Sequence, residues 1–240
     1  VTATNPIAEA VQRIDAAAVP ANWTFKDAAV AAGFQRHVRE QLPWYDLATG
    51  CVAHVARHYI PEKGVVYDIG ASVGNIGNCI LPTLQDRKAE FHPIEASAEM
   101  CGKYAGPGTV ECADAMKYDF KEYDCAIMFL VLMFMPPSER IHWFKNLLGK
   151  MKRGGCLILF DKFETQGFDP YIATILRRMT LAGKVATGTS SEEIVAKELS
   201  LCGVQRPLAH RTIENLTPMP HLVFQFGEFA GYVFTRGEAS

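Results

Sequence analysis

The chain has 240 residues, 49% of them apolar and 21% charged, and a formal net charge of −2. This length and composition suit a single α/β-sized globular domain and exclude a disordered or low-complexity chain. Only short basic clusters occur, such as Lys150, Lys152 and Arg153 or Arg177 and Arg178, so no surface built to neutralise many phosphates is expected; nucleic acid is allowed as a substrate but not indicated.

Ile7, Val11 and Ile14 recur at helical spacing before Pro20 and predict a short amphipathic helix over 5–19. Trp23 and Phe25 precede a second helical stretch, Asp27 to Gln41, which ends at Pro43. Pro43-Trp44-Tyr45-Asp46 opens a third helix that reaches about Tyr59. His54 and His58 share a face of that helix, but no acidic or cysteine partner is near them, so no metal site is expected.

The most informative stretch runs from Gly64 to Gly77. Val65, Val66 and Tyr67 favour a buried strand, and Gly70, Gly74 and Gly77 then break it at spacings that read as strand, tight turn and helix start. Glycine there permits positive φ and close ligand approach, beside the unpaired N–H groups of a helix N-terminus. A dinucleotide turn needs glycine where this chain has Ser72, and Asp68 two residues before Gly70 is a poor neighbour for a diphosphate but a good one for an ammonium group. S-adenosylmethionine, with an amino-acid moiety and no phosphate, fits these residues better.

Ile76, Ile80 and Leu84 make the apolar face of the following helix, and Ala89 to Glu95 reads as a second strand ending in Glu95-Ala96. An acid at that tip can accept from both hydroxyls of a ribose. Thr109 to Cys112 reads as a third strand, with Asp114-Ala115 after it, placed to meet an adenine amine. The continuous apolar run Tyr123 to Met133 reads as a central parallel strand buried on both faces. Pro136-Pro137-Ser138 starts a helix that Gly154-Gly155 ends, and Cys156 to Phe160 is a fifth strand leading to Asp161. Residues 169–203 read as helical, and Leu208–Ile213 and Leu222–Phe234 as closing strands joined by the turn-rich Thr217–Pro220.

This order predicts an α/β, doubly wound Rossmann-like sheet in a single domain over 1–240, with its ligands at the strands' carboxyl ends. Within it, 1–60 form an N-terminal helical cap, 61–165 the cofactor-binding core, 166–204 a helical lid and 205–240 a closing β-hairpin. The seven cysteines stand singly without Cys-x-x-Cys spacing, which predicts reduced thiols acting as small hydrophobes. With no spanning apolar run and no secretion-signal pattern, a cytoplasmic protein without a membrane partner is expected.

The chain resembles the class I S-adenosylmethionine-dependent methyltransferases in its order of strand, glycine turn, ribose acid, adenine acid and terminal hairpin. It looks more closely like the carboxy-S-adenosylmethionine synthase family, long described as tRNA uridine-5-oxyacetate methyltransferases. The matching stretches are Trp23-Thr-Phe25, Pro43-Trp-Tyr-Asp46, Tyr67-Asp-Ile-Gly-Ala-Ser72, Phe134-Met-Pro-Pro-Ser-Glu-Arg140 and Gly154-Gly155 through Asp161-Lys-Phe163. The resemblance implies that Tyr45 reaches the cofactor, that Gly70, Ala71 and Ser72 line it, and that Glu95 and Asp114 hold its ribose and adenine. Two departures stand out. Phe129 occupies a position where the family has asparagine, and no counterpart of the family's Arg-Ser-x-Leu-Glu-Asn segment, which meets the carboxylated cofactor, lies between Thr165 and Val204.

Plain methyl transfer to a small molecule or nucleic-acid component is therefore the favoured reading. A carboxy-S-adenosylmethionine synthase using a keto-acid donor is the first alternative, and a non-catalytic cofactor-binding protein the second. The candidate cofactor contacts are Tyr45, Asp68, Gly70, Ala71, Ser72, Gly74, Glu95, Ala96, Asp114, Ala115 and Phe129. Asp161, Glu164 and His142 are candidate bases and Tyr171 and His221 candidate contacts, but no spacing singles out a catalytic residue. A homodimer is compatible with this reading.

Overall fold

The computed structural model describes residues 38–39, 42–164, 170–186, 188–201 and 204–237. The helix expected over 5–19, the Trp23 and Phe25 anchors and most of the helix expected over Asp27–Gln41 lie outside the described residues. The described chain begins its regular structure with helix α1 (Tyr45–Tyr59), strand β1 (Val65–Ile69) and helix α2 (Asn75–Arg87). There follow β2 (Glu90–Glu95), the short α3 (Ala98–Cys101), β3 (Glu111–Cys112), β4 (Tyr123–Phe129), α4 (Pro137–Gly149) and β5 (Met151–Lys162). Helices α5 (Pro170–Ala186), α6 (Ser191–Leu201) and α7 (His210–Glu214) then lead to β6 (His221–Phe226) and β7 (Phe229–Thr235).

Seven strands make one sheet in the order β3-β2-β1-β4-β5-β7-β6. Strands β1 to β5 pair in parallel, and β7 runs antiparallel to both of its neighbours. Successive strand residues face opposite sides, so β1, β4 and β5 feed two apolar layers. Tyr67, Ala126, Met128, Leu157 and Leu159 pack with Phe144, Leu147 and Leu148 of α4 on one face. Val66, Cys125, Ile127 and Ile158 pack with Val52 and Ala56 of α1 and Ile76, Ile80 and Leu84 of α2 on the other. Each of the Val, Leu, Ile, Met and Phe side chains among them, fully buried, contributes about 1.5–3 kcal/mol of burial free energy. The strand order reverses between β1 and β4, which opens a crevice at their carboxyl ends.

The structure corrects several boundaries. The apolar run expected to be strand to Met133 leaves the sheet after Phe129, because Leu130 adopts φ +61° and Leu132–Phe134 form a 3₁₀ turn. The Gly154-Gly155 pair does not end the helix, which stops at Gly149; it lies inside β5 at a register shift opposite Tyr123 to Cys125. The helical stretch expected over 169–203 is two helices, broken near Gly188 (φ +88°).

Leu208–Ile213 is not a strand: Leu208 makes one bridge to Phe163, and α7 starts at His210. The closing hairpin comes instead from Leu222–Phe234 itself, which folds back at Gly227 and Glu228. Cys101 and Cys112 are joined by a disulfide between α3 and β3, not reduced as expected, since the loop from α3 returns the chain beside β2.

Candidate functional site

The turn after β1 is folded back over the tip of β2. Gly70 N and Ala71 N donate to Ile94 O at 2.8 and 2.9 Å. Glu95 then ties two turns together, its Oε2 accepting from Ser72 N and its Oε1 from Ser97 N, both at 2.8 Å. A carboxylate with both oxygens on backbone N–H groups is held in one rotamer, with further lone pairs for a ligand. Gly70 has φ +76°, and a Cβ added there would stand 2.3 Å from Val131 Cγ2, so only glycine fits this bend.

These strand ends open into a cavity of about 970 Å³. Tyr45, Gly70, Ala71, Ser72, Glu95, Ala96, Asp114, Ala115 and Phe129, all expected beside a cofactor, are on its wall. Asp68 and Gly74 are not. Gly74 (φ +95°) packs against the loop that follows α3, where a Cβ would meet Gly106 N at 2.3 Å. Asp68 is 1% exposed and accepts from the Gly77 backbone, while its Oδ2 has no hydrogen-bond partner among the described residues. Burial, and then the charge of Glu95, push the Asp68 carboxyl up to about 7.

Asp114 caps the following turn, its Oδ1 accepting from Met116 N at 3.0 Å. Tyr45 is tied to the glycine turn by Asn75, whose Nδ2 donates to the Tyr45 hydroxyl at 3.1 Å and whose Oδ1 accepts from Arg39 at 3.0 Å. Burial raises the Tyr45 phenol above its ordinary value, against the pull of Arg39 and Asn75, so it stands as a neutral donor or acceptor and not as a base. Phe129 stacks on Phe160 at 4.7 Å and meets the Tyr45 ring edge-on at 5.4 Å.

None of the candidate bases and contacts Asp161, Glu164, His142, Tyr171 and His221 is on the cavity wall. Asp161 is buried beneath the turn after β4, accepting from Leu132 N at 2.7 Å and Met133 N at 3.3 Å. Desolvation outweighs those donors and pushes its carboxyl up to about 7. Sequence reasoning missed Asn75, Lys184, Glu198, Gln205 and Glu228, and gave Lys162 no role, although all six line the cavity; of Arg177 and Arg178, the two residues the sequence offered in place of the family's missing arginine, Arg177 lines it. Asn75 carried a local signal, as a polar residue directly after the glycine turn; the others come from separate segments. No group of three or more potential metal ligands occurs among the described residues.

The wall fits a nucleoside bearing an amino acid: an acid for a diol, a glycine cradle that a Cβ would fill, and an orphaned buried carboxylate oxygen behind it. No family model matches the chain. A carboxy-S-adenosyl-L-methionine synthase of Shewanella denitrificans is 28% identical over 189 residues, covering 75% of this chain and 77% of that one. Another, from Staphylococcus epidermidis, is 27% identical over 194 residues, covering 79% and 84%.

Among solved structures, a magnesium protoporphyrin IX methyltransferase from Synechocystis with bound SAH superposes with a TM-score of 0.54 at 16% identity, over 87% of this chain and 95% of that one. An S-adenosylmethionine-dependent methyltransferase from Clostridium acetobutylicum gives 0.53 at 11% identity, over 86% and 99%. The chain thus has the Rossmann-like fold of the S-adenosylmethionine-dependent methyltransferases, and is similar over three quarters of its length to proteins named carboxy-S-adenosyl-L-methionine synthases.

Proposed function

We propose that the protein is an S-adenosylmethionine-dependent methyltransferase acting on a small molecule or a nucleic-acid component. The observation that carries this reading is Glu95, clamped by Ser72 N and Ser97 N at the edge of a cavity large enough for a cofactor and an acceptor together. S-adenosylmethionine, when bound, supplies a sulfonium-activated methyl carbon, so the protein's share is positioning and exclusion of water. Glu95 accepts from the ribose hydroxyls, the Gly70–Ser72 backbone makes room for the amino-acid moiety, and Asp114 meets the adenine amine. Tyr45, held beside the glycine turn by Asn75, and Phe129 supply aromatic wall next to it.

An acceptor that is already nucleophilic needs no general base, which agrees with a wall whose one phenol is held neutral. We place the protein in the cytoplasm; among the described residues no helix is long and apolar enough to cross a membrane. Calorimetric titration with S-adenosylhomocysteine tests the cofactor assignment directly, and absence of binding by the folded protein would refute it.

The names of the curated relatives favour a second reading, in which a keto-acid donor carboxylates the cofactor's methyl group. Against it stands Phe129, whose ring, stacked on Phe160, offers no donor to an added carboxylate. A mass spectrum of the small molecules that copurify with the protein separates the two readings.

A further inference from the structure

The cavity carries a second chemistry on the side formed by β5, α5 and α6. Lys162, Arg177 and Lys184 line it there together with Glu198, Gln205 and Glu228. Lys162 Nζ donates to Gln205 Oε1 at 3.0 Å and lies 3.2 Å from Glu228 Oε2. Lys184 Nζ is 3.1 Å from Glu198 Oε1, and Arg177 pairs with Glu198 Oε2. An ammonium has three donors, and among the described residues those two oxygens are the partners of Lys162. Lys162 is only 8% exposed and lines the cavity, so its third donor can be satisfied by an oxygen of a bound ligand.

The charges at this end point the same way. Among the described residues Arg177 and Lys184 both pair with Glu198 while Lys162 pairs with Glu228, and the two lysines are nearly buried. Burial, followed by the charges of Arg177 and Lys162, lowers Lys184 to about 8. The neighbouring wall is apolar and polarizable, with Trp44, Met133, Phe134, Met179 and Phe229.

We infer that this end binds the methyl acceptor, and that the acceptor is a small acid: a monocarboxylate with an apolar body, anchored by its carboxylate on Lys162 in the field of Lys184 and Arg177. The inference rests on the methyltransferase reading, since it leaves the Glu95 end to the cofactor. The carboxylate serves as the anchor and is not itself the methylated group. Lys162 supplies a donor and a charge, and the Met and aromatic wall supplies the desolvated surface that strengthens the ion pair.

The test uses benzoate and benzamide, which share shape but not charge, titrated calorimetrically into the protein saturated with S-adenosylhomocysteine. Benzoate is expected to bind at least tenfold more tightly than benzamide, and Lys162→Met to erase that preference with cofactor affinity unchanged. Glu228→Gln, which removes a competing carboxylate from Lys162, is expected to tighten benzoate and keeps the test open if Lys162→Met fails to fold. Equal binding of acid and amide, binding of neither, or a preference that survives Lys162→Met would overturn the inference. So would exclusion of benzoate by the carboxylated cofactor but not by S-adenosylhomocysteine with benzamide binding unaffected, which would assign the cation to the cofactor's own carboxylate. The titration of S-adenosylhomocysteine alone is read separately, so failure of the cofactor reading is distinguishable from failure of the acid site.

Discussion

Glu95→Ala separates the two duties of one carboxylate. Its oxygens hold Ser72 N and Ser97 N at 2.8 Å each, and the side chain is half-buried at the cavity edge. Loss of a charged acceptor for the ribose hydroxyls removes about 1.5–3 kcal/mol of binding free energy, a roughly 10- to 150-fold weaker Kd. The freed Ser72 N–H belongs to a half-buried turn where water can reach it, whereas Ser97 is only 6% exposed, so an orphaned N–H there costs about 1–3 kcal/mol of stability. The sheet beneath is untouched. Glu95→Gln is expected to fall between, because its carbonyl can serve one N–H while its amide group faces the other. Calorimetric titration with S-adenosylhomocysteine, run beside a thermal melt, reads both quantities. An unchanged affinity in a folded Glu95→Ala protein would refute the ribose assignment.

Gly70→Val is expected to abolish cofactor binding and to preserve the far-ultraviolet circular dichroism, because a Cβ at φ +76° would stand 2.3 Å from Val131 Cγ2 and press the turn into the cavity; retained affinity would mean that the turn serves packing alone. Asp68 and Asp161 are both raised to about 7 from an ordinary value of 3.8. Between those values the folded protein holds protons that the unfolded chain has released, so stability falls as pH rises from about 4 to about 7 and levels off above. Asp68→Asn removes the Asp68 share, on the order of 4 kcal/mol at most, and is expected to flatten the dependence of the urea midpoint between pH 5 and pH 8; an unaltered slope would count against the buried, protonated carboxyl. In competition binding, the unmodified cofactor is expected to bind more tightly than the carboxylated one, and a reversed preference that Arg177→Ala abolishes would promote the second reading.

The glycine turn and the acids at the strand tips were legible because their signals are local: a β-branched run, glycines at fixed offsets, and carboxylates at or just after the ends of the second, third and fifth strands. Glu95 could be placed but not understood, since its partners Ser72 N and Ser97 N belong to two turns that meet only once β1 and β2 pair. The C-terminal hairpin was expected and is formed by β6 and β7, but Leu222–Phe234 was read as one of its strands because the stretch is apolar on both sides of the Gly227-Glu228 bend. Leu208–Ile213 was read as strand for the same reason: Leu208 and Ile213 are both buried, but at the two ends of a turn into α7. The cationic end was legible only in the Arg177-Arg178 pair. Lys162, Arg177, Lys184 and Glu228 come from a strand end, one face of a helix and a hairpin turn, and only the folded sheet brings them to one wall.

The last residues of β5 explain how the two ends of the cavity stay in register. Successive strand side chains face opposite ways, so Asp161 goes beneath the turn after β4 while Lys162 enters the cavity. The turn needs that buried acid: once Leu130 adopts φ +61°, the N–H groups of Leu132 and Met133 point inward and away from any strand partner, and Asp161 Oδ2 accepts from both. The other oxygen accepts from Lys162 N at 2.8 Å, which fixes the backbone from which the lysine projects. Val131 and Met133, carried by the same turn, form wall beside Gly70 and beside the apolar acceptor surface. One buried carboxylate therefore holds both the loop that follows β4 and the strand end from which Lys162 projects.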